Sequence, residues 1–249
     1  MDSAEHVDFH CHLDLHADMA AAFEKCEHER CLTLTVTTTP KAYRRNAEYA
    51  SGKEYVFAAL GLHPQLVEKR GDEISLFEEL SETTRYIGEI GLDAGPRYYR
   101  SFERQKEVFD RALRICATQR DKVVSVHSVR CARLVLDALE ARAACRENII
   151  VLHWFSATSP EIRRAIDLGC WFSVNEQMLL TKPGRTLVES APKGRILTET
   201  DAPFLQSAGA PIEAGDVGEA LRGIASLWRL EDANAQELIV TNARRALSC

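Results

Sequence analysis

The chain has 249 residues, 45% hydrophobic and 27% charged, with a net charge of -6 at pH 7. Such a chain can bury a large core and has the balance of a soluble globular protein. The mild acidity excludes a broad basic face of the kind that neutralises many phosphates, so contact with a nucleic acid must be local or assisted by bound cations.

The eight cysteines, Cys11, Cys26, Cys31, Cys116, Cys131, Cys145, Cys170 and Cys249, form no Cys-x-x-Cys pair and no dense framework. Reduced thiols that pack in the core are expected, with a cytoplasmic location. The start, Met1-Asp2-Ser3-Ala4-Glu5, has no basic region leading into an apolar run of export length. No later stretch approaches the ~20 apolar residues of a membrane span.

In chain order, short apolar runs alternate with segments of helical periodicity. Run 7–9 ends in His10-Cys11-His12, and helix 17–29 follows. Run 32–36 leads into helix 42–50, and run 56–60 is followed by His63 and helix 75–84. Run 87–90 contains Glu89 and is followed by Arg97-Tyr98-Tyr99-Arg100 and helix 101–119. Run 123–126 ends at His127 before helix 132–145, and run 149–152 ends at His153 before helix 160–168. Runs 171–174 and 196–197 come next, with Asp201 after the second. A loose stretch at 207–211 reads as a surface loop, and helices 217–228 and 232–247 complete the chain.

Runs this continuous suit strands buried on both faces. Eight parallel strands with helical crossovers close into a TIM-type α/β barrel of about 250 residues, here a single domain over 1–249. An open doubly wound sheet would need fewer strands and an early glycine-rich phosphate loop, which the sequence lacks.

In a barrel the C-terminal strand ends converge on one face, so polar residues scattered along the sequence become neighbours. His10 and His12, at i and i+2 of a strand, point to one side and can grip one ion. His63, Glu89, His127, His153 and Asp201 stand at or just beyond the ends of five other runs. Four imidazoles, His10, His12, His127 and His153, with the carboxylates Glu89 and Asp201 exceed the needs of one tetrahedral ion. They suit two divalent ions, zinc, magnesium or manganese, sharing a carboxylate. Such a pair activates water for hydrolysis and offsets the chain's acidity toward an anionic substrate. Arg97-Tyr98-Tyr99-Arg100 mixes cations with rings, a composition suited to stacking a base and holding a phosphate of single-stranded DNA.

The segments VDFHCHLD (7–14), GLHP (61–64), GEIGLD (88–93), VHS (126–128), LHWFS (152–156) and LTETDAPFL (197–205) together resemble the TatD family of metal-dependent deoxyribonucleases, within the amidohydrolase-like barrels. The resemblance covers nearly the whole chain and implies a DNase, acting on strand ends. It implies that Glu89 bridges two ions, that His10 and His12 hold one and His127 and His153 the other, and that Asp201 is a ligand and the acceptor of the water's proton. His63 would contact substrate. Three positions depart from the family pattern. Gln65 stands where a second histidine is common, the stretch after Asp93 is longer than usual, so that Arg97 or Arg100 fills the phosphate-binding role, and Arg130 follows His127 at a shifted offset. The chain is similar in this to TatD-like proteins of bacterial anti-phage operons, whose products would be its partner proteins. Two other readings are an amidohydrolase acting on a small cyclic amide or lactone and a non-catalytic scaffold subunit of a defence complex.

Overall fold

The computed structural model describes residues 3–207 and 210–248. Met1 and Asp2 of the expected leaderless start, residues 208 and 209 of the expected loop, and Cys249 lie outside the described residues.

The apolar runs form strands β1 (His6–Cys11), β2 (Cys31–Val36), β3 (Val56–Ala59), β4 (Tyr86–Asp93), β5 (Val123–Val129), β6 (Ile149–His153), β7 (Trp171–Val174) and β8 (Ile196–Thr198). β1 to β3 pair in parallel in sequence order, and so do β4 to β8. A bridge between Leu60 and Ile87 joins the two groups, with Gly88 N donating to Leu60 O at 2.8 Å. The other seam closes where Asp201 N donates to His10 O and His12 N to Ala202 O, both at 2.8 Å. The result is a TIM-type α/β barrel. Its strands are buried along nearly their whole length, which is why they read as continuous apolar runs rather than as an alternation.

The helices follow the expected periodicity where their signals are clean. Phe102–Gln119 buries Phe102, Val108, Phe109, Ala112, Leu113 and Cys116 and turns its charges outward. Ser159–Asp167 starts on a capping box, with Glu161 Oε2 accepting from Thr158 N at 2.8 Å.

The structure differs from the sequence reading in three stretches. Helices Glu176–Leu179 and Lys182–Ser190 fill the space between β7 and β8, where no helix was expected. Thr181-Lys182-Pro183-Gly184 reads as turn chemistry, yet Thr181 caps the helix by accepting from Gly184 N at 3.1 Å. The expected helix 132–145 ends at Ala141, and a left-handed Ala143 (φ 49°) starts the separate turn Ala144–Glu147. The expected loop at 207–211 is largely taken up by a two-residue antiparallel pair, Gln206–Ser207 with Ala210–Pro211.

The seven described cysteines are free thiols. Among the described residues no helix is long and apolar enough to cross a membrane.

Candidate metal centre

The centre lies at the C-terminal strand ends, and two glycines allow its parts to come together. A Cβ on Gly91 would lie 2.1 Å from His127 O, and one on Gly61 would lie 1.8 Å from Thr37 O and 2.5 Å from Glu89 N. Only glycine permits those contacts, so these positions let β4 lie close to β5 and to the loop after β2, bringing Glu89 beside His127.

Glu89 is 1% exposed and occupies the middle of the site. Its Oε2 is 3.4 Å from His10 Nε2 and 3.5 Å from His12 Nε2, while Asp201 Oδ1 lies 3.7 and 3.6 Å from the same two nitrogens. Its Oε1 faces the other pair, 2.5 Å from His127 Nδ1 and 2.9 Å from His153 Nε2. The six sequence-predicted ligands are therefore gathered at one place. His10 and His153 stack across it, ring centroids 3.7 Å apart at 6°.

These donors fit divalent cations. Three groups have ligand atoms within 4.8 Å of one another: His10, Glu89 and His153; His10, His12 and Asp201; His63, Glu89 and His127. His10 Nε2 is wholly buried without a hydrogen-bond partner although it faces two carboxylates, a position a cation would satisfy.

The protein's own charges are tightly linked in this space. Burial works against the charge on Glu89, but His63, His153, His127 and His10 overcome it and hold the carboxyl well below its ordinary range. For His12, burial also opposes the charge, and Asp201 and Glu89 outweigh it, raising the imidazole to about 9. Burial, helped by the neighbouring His153, lowers His10.

His63 lies at the edge of the centre, Nε2 3.3 Å from Glu89 Oε2. Its Nδ1 accepts from Gln65 N at 3.1 Å, so the neutral ring carries its proton on Nε2 and presents a donor to the site.

A cavity of about 760 Å³ opens over the centre, and its lining includes His63, Gln65, Ser128 and Arg130. Leu15, Leu66, Val129, Trp154 and Phe204 give it an apolar rim. Phe204, 61% exposed, meets the His12 ring edge-on at 5.1 Å. Arg97, Tyr98, Tyr99 and Arg100 are not among the lining residues: Arg97 sits over the Tyr98 ring, and Tyr99 stacks on Phe102.

Several residues around the centre had no role in the sequence reading. Asp93, Ser125 and Glu199 are buried and lie behind candidate ligands, Asp8 is buried against Thr200, and Trp154 and Phe204 line the cavity. Asp8 and Glu199 each stand two residues before a candidate ligand, His10 and Asp201, and that spacing at a strand end is the signal that could have found them.

The model of the TatD related DNase family matches residues 7–248. The metal-dependent hydrolase YjjV of Escherichia coli K12 is 28% identical, over 93% of this chain and 92% of its own. The crystal structure of that TatD homologue superposes with a TM-score of 0.87 over 99% of both chains. Human deoxyribonuclease TATDN3 is 25% identical over 80% of this chain and 78% of its own. The 3'-5' ssDNA/RNA exonuclease TatD of Edwardsiella piscicida is 27% identical over 78% of each chain.

Proposed function

From the premise that the chain belongs to the TatD related DNase family and is a metal-dependent hydrolase, we propose that it cleaves phosphodiester bonds of DNA at strand ends, using water activated between two divalent ions. The observation that carries this reading is the division of Glu89, whose two oxygens face different histidine pairs. His10, His12 and Asp201 would hold one ion, His127 and His153 the other, with Glu89 shared. Two such ions lower the pKa of water and stabilise the attacking and leaving oxygens of a phosphoryl centre.

The chain's residues supply the rest. Asp201, ionised and at the edge of the site, accepts the proton of the attacking water. His63 donates from Nε2 toward a phosphate oxygen, and Arg130 at the cavity rim pairs with the phosphate. Trp154 and Phe204 offer faces on which a base can stack. The lining holds one arginine and a largely apolar rim, which suits one terminal nucleotide better than a duplex with its two charged backbones. Arg97, Tyr98, Tyr99 and Arg100 would meet the strand farther along, outside the cavity.

Incubation of the purified protein with end-labelled single-stranded DNA, duplex DNA and RNA, and with small cyclic amides and lactones, tests the reading under zinc, magnesium and manganese. The expected outcome is ion-dependent trimming of single strands from an end. Turnover of an amide or lactone with no cleavage of any nucleic acid would replace it with the amidohydrolase reading.

A further inference from the structure

Each ligand imidazole has one nitrogen turned toward Glu89, and what stands behind its other nitrogen differs between the two pairs. Behind His10, Nδ1 lies 2.7 Å from the neutral hydroxyl of Ser125. His12 Nδ1 is buried with no hydrogen-bond partner. Behind the other pair stand carboxylates at ion-pair distance, Asp93 Oδ2 3.4 Å from His127 Nε2 and Glu199 Oε2 3.6 Å from His153 Nδ1, although neither nitrogen closes a hydrogen bond there.

Both acids are built into the fold. Asp93, 2% exposed, accepts from Gln65 Nε2 at 2.8 Å on Oδ2 and from Gly95 N at 2.7 Å on Oδ1. Its own backbone N donates to Gln105 Oε1 at 2.8 Å. Glu199, 1% exposed, accepts from Asn175 Nδ2 at 2.9 Å, from Trp154 N at 3.1 Å and from the Ser173 hydroxyl. Among the described residues neither carboxylate has a Lys or Arg as an ion-pair partner; each is paired with a histidine. A buried carboxylate is costly unless it is paired and hydrogen-bonded, so two of them behind one pair of ligands call for a purpose.

The ligand inventory supplies one. The position at His10 and His12 has a carboxylate of its own, Asp201, besides its share of Glu89. Among the described residues the position at His127 and His153 has no carboxylate on its Glu89-facing side beyond its share of Glu89. We propose that Asp93 and Glu199 are positioning residues that make up this deficit, holding the far-side N–H of His127 and His153 so that Nδ1 of the first and Nε2 of the second stay free and basic for an ion. Carboxylates behind ligand histidines act this way in general, fixing the tautomer and increasing the basicity of the ligand nitrogen. Gln65, at a position where the family pattern often has histidine, takes part by holding Asp93 from the cavity side.

The inference rests on the two-ion reading above, and one titration separates their failures. The metal-free chain is titrated calorimetrically with Mn2+, and bound manganese is counted after dialysis, for the parent and for Asp93→Asn, Glu199→Gln, the double variant and Ser125→Ala. The parent should show two binding events. Asp93→Asn and Glu199→Gln should each weaken one event by roughly 10- to 100-fold and leave the other in place. The double variant should retain one manganese where the parent retains two, and Ser125→Ala should leave the event weakened in Asp93→Asn unchanged. Circular dichroism identifies variants that fold, and Gln65→Leu, which loosens Asp93 from the cavity side, serves as a further variant if Glu199→Gln does not. Two unchanged affinities in folded variants, or equal weakening of both, overturn the inference alone. A parent that binds fewer than two ions overturns the two-ion reading and the inference with it.

Discussion

Asp8 and Thr200 are joined twice: Asp8 Oδ1 accepts the Thr200 backbone N–H at 2.9 Å, and Oδ2 accepts its hydroxyl at 2.6 Å. Oδ2 also accepts from Gly215 N at 2.9 Å. The first strand thus grips the residue before Asp201, which itself has left-handed backbone, φ 52°. Burial raises the Asp8 carboxyl to about 6 against those hydrogen bonds, so the fold retains a costly group in order to hold this turn.

Asp8→Asn tests that relationship. Whichever oxygen becomes an NH2, it faces at least one backbone N–H, leaving a buried donor unsatisfied. The expected loss is about 1–3 kcal/mol of stability, read from the urea midpoint, with lower metal content because Asp201 is less well held. An unchanged midpoint together with unchanged metal content would show that Asp8 does not hold the turn.

Glu89→Ala should abolish hydrolysis and leave a folded barrel, because the substitution removes the carboxylate that both histidine pairs share. Bound metal should fall to at most one weakly held ion. Retained activity in a folded Glu89→Ala protein would exclude the two-ion mechanism.

The pH dependence of the metal-free chain has a definite sign. His12 is raised from 6.5 to about 9, so its contribution to stability is complete below 6.5 and is lost as pH rises through about 9. Raised values for His127 and His153, where the carboxylates outweigh burial, act in the same direction. The metal-free Tm should therefore fall between pH 6.5 and 9. Metal binding requires neutral imidazoles, so Mn2+ affinity should rise over that range and the Tm increment it produces should grow. Calorimetry with and without Mn2+ reads both trends, and a metal-free Tm that climbed through the interval would contradict the charge assignment.

The barrel and the cluster of candidate ligands were legible in the sequence for one physical reason. A strand buried on both faces must be a continuous apolar run, so a histidine or carboxylate at its end stands out, as His127 and His153 do after Val126 and Leu152. Asp93 and Glu199 were hidden because each stands within four residues of a stronger candidate ligand, Glu89 before the first and Asp201 after the second, and their hydrogen-bond partners lie far away in sequence, Gln65 for one and Ser173 and Asn175 for the other. The helix Lys182–Ser190 was hidden by its own cap, since Thr, Pro and Gly serve equally well in a turn.

The cavity rim and the loop beyond it should contribute differently to short and long substrates. Arg97, Tyr98, Tyr99 and Arg100 lie outside the cavity lining, whereas Arg130, Trp154 and Phe204 belong to it. Replacing the four loop residues with alanine leaves every candidate ligand and the rim intact, so hydrolysis of a small activated phosphodiester and of a dinucleotide should be nearly unchanged. A long single strand should suffer: one lost stacking ring is worth roughly 1 to 3 kcal/mol, so efficiency should drop on the order of tenfold or more, with a shallower salt dependence of binding. The loss should appear mainly in KM if these contacts are equal in ground and transition states. Arg130→Ala and Phe204→Ala should behave differently, lowering efficiency on the dinucleotide and on the long strand alike, because every substrate must pass the rim to reach the candidate metal centre. A loop variant that loses nothing on the long strand would leave the rim as the whole binding surface, and a loop variant that loses equally on the dinucleotide would mean that Tyr99, through its stacking on Phe102, supports the barrel rather than the substrate.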